Sequence, residues 1–138
     1  MVDKVTNSIQ SDLKNYNNQI EHLKPLETIE WAYKTFENKF GFTTSFGIQS
    51  SVLLHFIHKS NFKNKVKIFW IDTGYLPKET YKYADEIINK LSLNIQILQS
   101  DITPARMEAL YGKLWESDQH SDLDKYHKMR KIDPLEKA

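Results

Sequence analysis

Cysteine is absent from all 138 residues. Within this chain that excludes a disulfide framework, a thiolate zinc site, an iron–sulfur cluster and a cysteine nucleophile. Glycine and proline are scarce, at 4 each, so neither a collagen-like repeat nor a Pro/Gly-rich linker is present. The longest apolar stretches, residues 51–57 and 68–71, fall far short of the roughly 20 residues of a membrane-spanning helix. Residues 1–8 have neither the basic nor the apolar region of an export signal, so a soluble cytoplasmic protein is expected. Charge of one sign is missing too. Lys+Arg 19 against Asp+Glu 18 leaves +1, far from the basic excess of a nucleic-acid binder. What remains, 40% hydrophobic and 27% charged, is the composition of one globular domain.

Periodicity orders the chain. Val5, Ile9, Leu13, Tyr16, Ile20 and Leu23 recur at spacings of three and four, which predicts an amphipathic helix over 5–23 ended by Lys24-Pro25. A second helix carries Leu26, Ile29, Ala32/Tyr33 and Phe36 on one side and stops near Gly41. Strand and helix then alternate. Phe42–Phe46 reads as a strand, Gln49–Ser60 as a helix with Val52, Leu53, Phe56 and Ile57 apolar, and Val66–Ile71 as a strand buried on both faces. Pro77 opens a helix whose inner side is Tyr81, Ala84, Ile87/Ile88 and Leu91. Leu93, Ile95 and Ile97 alternate in a third strand. Thr103-Pro104 is an N-cap with proline at the first helical position, and that helix should stop at Gly112. Leu123, Tyr126, Met129 and Ile132 recur at helical intervals beyond it. This order means an α/β fold with a parallel sheet and right-handed crossovers. Three strands make a thin sheet, so the chain reads as the first part of a larger domain with an exposed apolar edge.

Three segments can carry chemistry. Thr44-Ser45-Phe46-Gly47-Ile48-Gln49-Ser50-Ser51 lies between a strand and a helix. Backbone N–H groups, a helix dipole and the hydroxyls of Ser45, Ser50 and Ser51 would cradle a phosphate or sulfate there; alternatively the hydroxyls merely cap the helix. No Gly-Lys-Ser/Thr of a Walker loop is present. Trp70-Ile71-Asp72-Thr73-Gly74-Tyr75 falls at the carboxyl end of the second strand, where open α/β sheets bind ligands; alternatively Asp72 caps the next helix. Tyr111-Gly112-Lys113-Leu114-Trp115-Glu116, with Arg130-Lys131 downstream, offers cations for an anion, or else a solvated charged face anchored by Trp115. His55 and His58 lack a third ligand nearby, and Asp118, Asp122 and Asp124 lack the glycine and terminal glutamate of a calcium loop.

With these segments in order, residues from about Leu26 onward resemble the assimilatory sulfonucleotide reductases, in the phosphoadenylyl-sulfate (PAPS) reductase branch. The resemblance rests on Thr44–Ser50, Ile71–Tyr81, Tyr111–Glu116 and Arg130-Lys-Ile-Asp-Pro-Leu135. It implies a three-layer adenine-nucleotide alpha-hydrolase-like (PP-loop) α/β fold, incomplete at the C-terminal side. Residues 1–41 would form a helical segment on the core and 42–138 the nucleotide-binding domain. It places Ser45, Gly47, Gln49 and Ser50 around the phosphosulfate and Asp72, Thr73 and Gly74 along the adenosine pocket. Lys131 would lie near the phosphosulfate and Lys113 on a phosphate, while Arg130 is given no place among the site residues. Cluster-bearing relatives carry a Cys-Cys pair where Tyr126-His127 stand here, so no iron–sulfur cluster is expected.

In the family reaction a thiolate attacks the sulfur of PAPS, releases adenosine 3′,5′-bisphosphate and leaves an enzyme thiosulfonate, which thioredoxin or glutaredoxin cleaves to sulfite. The family's nucleophile belongs to a C-terminal segment beyond Ala138, so this chain should bind nucleotide without turning it over, with no catalytic residue of its own. The resemblance also points to a homodimer, with neither nucleic acid nor membrane as partner. Two other readings stay open: a non-catalytic adenine-nucleotide module, and another PP-loop enzyme that splits ATP. Gln49 argues against the second, since ATP-cleaving relatives have an aspartate there.

Overall fold

The computed structural model describes residues 12–138. Val5 and Ile9 of the first amphipathic pattern therefore lie outside the described residues. Helix α1 covers residues 12–20 of that pattern. Helix α2 (Pro25–Phe36) begins at the expected break, and the Lys24 N–H donates to the Glu27 carboxylate at 2.7 Å. Tyr16 of α1 meets Trp31 and Phe36 of α2 edge-on, at ring separations of 5.6 and 5.8 Å. From the inner side of α2, Ile29 and Tyr33 pack on the main core.

Strands β1 (Gly41–Thr44), β2 (Lys67–Asp72) and β3 (Ile95–Gln99) form one parallel sheet in the order β1-β2-β3. Register pairs Thr44 with Trp70 and Trp70 with Ile97. Ile68 and Trp70 point to one face, where Leu54 and Ile57 of α3 (Ser50–Lys59) and Ala84 of α4 (Lys78–Leu91) complete a core that excludes water. Residues of opposite parity, Ile71 and its partner Leu98, turn to the other face. Helix α5 (Pro104–Tyr111), helix α6 (His120–His127), a π turn (Lys128–Ile132) and helix α7 (Asp133–Glu136) belong to that side, the π turn packing on β2 and α7 on β3. The result is a three-layer α/β fold.

Local chemistry explains the boundaries. Thr103 accepts the Arg106 N–H at 3.3 Å as N-cap of α5, and Gly112 ends that helix with φ +73. Strands β2 and β3 lie one and two residues later than the sequence reading, and two further differences bear on the site. Strand β1 stops at Thr44, because Phe46 turns out of extended geometry to φ +54. In α3 the buried pair is Leu54 and Ile57, while Val52 and Leu53 are 56% and 42% exposed. A helix only ten residues long can turn one stripe to β2, and Val52 and Leu53 lie outside it. His58 Nδ1 lies 2.7 Å from the Leu91 carbonyl oxygen, tying α3 to the end of α4. Among the described residues no helix is long and apolar enough to cross a membrane, and no three potential metal ligands cluster.

Candidate functional site

The parallel strands deliver three loops to one edge, and the site is assembled from the loops after β1 and β2 together with Lys131 of the π turn. Leaving β1, the Phe46 N–H is held by Thr44 Oγ1 at 3.2 Å. The Phe46 ring is buried and meets Trp70 edge-on at 4.9 Å. A bulky residue at positive φ is strained, typically by about 1–3 kcal/mol, and such strain gathers at functional loops. Ring burial anchors the loop from below, so Ser45 and Gly47–Gln49 stay on the surface ahead of α3.

Ser45 and Ser50 face a cavity of about 370 Å³ with Thr43, Thr44, Trp70, Ile71, Thr73, Leu76 and Lys131. Among the described residues Lys131 is the single charged one in that lining, and the other polar side chains are hydroxyls apart from the Trp70 indole. A cavity with one cation and no carboxylate favours an anion. Ser45 and Ser50 also border an adjoining open pocket of about 390 Å³ with Gly47, Ile48 and Gln49. Ten-residue α3 directs its N-terminus at this junction. Beside it, the buried Trp70 Nε1–H has no acceptor among the described residues.

The β2 loop is built differently. Asp72 accepts hydrogen bonds from Tyr81 (2.7 Å), Gln99 Nε2 (2.8 Å) and the Gly74 N–H (2.8 Å). Burial pushes its carboxyl group up, but these three donors and the Arg130 charge outweigh that and hold it below the usual range. Both carboxylate oxygens are thus engaged within the protein. Gly74 sits at φ +77 and outside the cavity lining; a β-carbon there would lie 2.6 Å from Pro104 Cγ and 2.9 Å from Arg130 Nη2. Thr73 is the member of this turn that reaches the cavity.

Arg130 is 2% exposed and points inward. Its Nε donates to the Thr73 carbonyl at 2.8 Å, Nη2 donates to the same oxygen, and Nη1 donates to the Ile102 carbonyl. Lys113 lies elsewhere, exposed and paired with Glu116 at 3.2 Å. The Tyr111–Glu116 segment is anchored by buried Leu114 and by Trp115, whose ring lies 4.2 Å from Tyr75 and 5.9 Å from Tyr126. Tyr75 donates to Glu108 at 2.9 Å, and burial together with that carboxylate pushes its phenol up to about 12.

Of the nine residues expected at the site, the cavity beside Lys131 gathers Ser45, Ser50, Thr73 and Lys131, and the adjoining pocket adds Gly47 and Gln49. Asp72 and Gly74 stand behind it, and Lys113 is apart. Thr43, Ile71 and Leu76 join the lining without having been expected as site residues; Thr43 and Ile71 come from the ends of neighbouring strands and Leu76 from the turn after β2.

A parallel sheet with a strained hydroxyl-rich loop, a helix N-terminus and one lysine at its carboxyl edge defines an α/β protein whose candidate site is a hydroxyl-lined cavity at that edge. Residues 39–138 match the phosphoadenosine phosphosulfate reductase domain model, and the chain belongs to that family. Over 126 residues it is 44% identical to a phosphoadenosine 5′-phosphosulfate reductase of Synechococcus sp., covering 91% of this chain and 53% of that protein. The corresponding enzyme of Serratia proteamaculans is 38% identical, with 88% of this chain and 49% of the relative covered. A crystal structure of PAPS reductase from Candida auris, as a phosphate complex, superposes with a TM-score of 0.78 at 26% identity over 93% of this chain and 61% of its own. The chain spans about half the length of these curated relatives.

Proposed function

We propose that this chain supplies the PAPS-binding half of a thioredoxin-dependent, cytoplasmic PAPS reductase of sulfate assimilation, acting as a homodimer. The observation that carries this reading is the convergence of Ser45, Ser50, Thr73 and Lys131 on one cavity whose sole formal charge among the described residues is positive. A phosphosulfate at the N-terminus of α3 would accept hydrogen bonds from the hydroxyls while the Lys131 ammonium offsets its charge. Gln49 offers an amide where a carboxylate would repel the anion. Asp72, through its three donors, fixes the turn from which Thr73 meets the nucleotide.

Reduction needs a thiolate to attack the sulfur, and this chain has no cysteine. Its own part is to bind and orient PAPS and to hold adenosine 3′,5′-bisphosphate after the S–O bond breaks. The thiol, and the thioredoxin or glutaredoxin that regenerates it, come from outside these residues.

Thermal unfolding with adenosine 3′,5′-bisphosphate tests the reading. Ligand at 100 times Kd adds about 2.7 kcal/mol, a readily measured rise in melting temperature. A folded chain that gains nothing at millimolar nucleotide would sink the proposal. Release of pyrophosphate from ATP would replace it with the ATP-splitting alternative.

A further inference from the structure

Arg130 directly precedes Lys131, the only charged residue of the cavity lining among the described residues, yet its own charge never reaches the cavity. Its guanidinium is enclosed between two loops. It donates twice to the Thr73 carbonyl after β2 and once to the Ile102 carbonyl after β3, and its carbon lies 5.4 Å from the centre of the Tyr75 ring. No carboxylate lies within ion-pairing distance of it among the described residues. A buried cation held by carbonyl dipoles is costly to build, and lysine lacks the planar fork needed to span both loops. The surroundings are shaped for it. Gly74 leaves open the volume that a β-carbon would take 2.9 Å from Nη2. The backbone around Arg130 is a π turn, Lys128–Ile132, a local widening often found at functional sites.

We propose that Arg130 is a positioning residue. By clamping Thr73 and Ile102 it fixes the π turn against the sheet, and so sets Lys131 at the rim that Thr73 also lines. This role rests on the nucleotide-binding reading given above.

A double-mutant cycle tests it, with adenosine 3′,5′-bisphosphate affinity measured by calorimetry on wild type, R130K, K131A and R130K/K131A. Melting temperatures without ligand are recorded alongside to separate global destabilisation. R130K should weaken binding about tenfold, and the same change on the K131A background should cost nothing further, since the two residues act as one unit. G74A, which drives a β-carbon into the guanidinium, should reproduce both the loss and its disappearance on the K131A background. Equal losses on both backgrounds, or wild-type affinity in R130K, would overturn the positioning role. Failure of the wild-type chain to bind removes the nucleotide reading itself, a result distinct from either.

Discussion

The phenolic hydroxyl of Tyr81, on the second turn of α4, donates to the carboxylate of Asp72 at 2.7 Å. That bond joins the end of β2 to the helix that follows it, and Gln99 extends the link to the end of β3. Asp72 therefore acts as the framework of the turn that presents Thr73.

Its acidity gives the first prediction. A carboxyl group whose folded pKa is depressed adds stability that is complete above its ordinary value of 3.8 and disappears as pH falls through the lower folded value. Denaturant unfolding should show Asp72→Asn less stable than wild type at neutral pH, with the gap closing in acid. A gap that stays constant with pH would contradict the assignment.

Tyr75 behaves with the opposite sign. Its phenol is raised to about 12 by burial and Glu108, so the neutral form is favoured in the folded chain. The stability it contributes is full below the ordinary value of 10.0 and fades as pH climbs toward about 12. Wild type should lose stability over that alkaline window more steeply than Tyr75→Phe does. Parallel curves for the two proteins would refute this.

Phe46 combines a buried ring with positive φ, and the two effects can be separated. Phe46→Ala removes the ring but keeps a β-carbon in the left-handed region, whereas Phe46→Gly removes both. The glycine variant should be more stable than the alanine variant by roughly 1 kcal/mol, reversing their usual order. Urea midpoints of the pair decide the matter.

Charge reversal ranks the lysines. Lys131 lines the cavity, while Lys113 is exposed and engaged with Glu116. Lys131→Glu should lower affinity for adenosine 3′,5′-bisphosphate by about tenfold or more, and Lys113→Glu by less than about twofold. The reverse ranking would move the anion to the Tyr111–Glu116 segment.

The outer side of α3 carries the last prediction. Val52 and Leu53 of α3 are 56% and 42% exposed, and Ile48 in the loop just before it is 92% exposed. Such a stripe favours self-association. Sedimentation at rising concentration should show it, and Val52→Lys with Leu53→Lys should suppress it. Identical behaviour of wild type and variant would place association elsewhere.

Much of this was legible from local pattern. The break at Pro25, the cap at Thr103 and the stop at Gly112 depend on side chains acting within four residues of themselves, so sequence reads them directly. The inner stripe of α4 followed from its spacing, with Ala84 fully buried and Tyr81, Ile87, Ile88 and Leu91 packed on the core. The orientation of α3 did not follow, because apolar residues occupy more of its circumference than β2 can cover. Arg130 was equally opaque: an Arg-Lys pair in sequence does not say which cation is buried.

By itself the sequence determined the α/β order, the hydroxyl-rich composition of the loop after β1 and the absence of cysteine from these 138 residues, since these depend on residue identity and short-range periodicity. Tertiary structure decided which residues meet. The register of three parallel strands set Thr43, Thr44 and Thr73 on one rim. The π turn sent Arg130 inward while leaving Lys131 at the cavity. Asp72 became framework because Tyr81 and Gln99, 9 and 27 residues away, arrive at its oxygens only once the chain is folded.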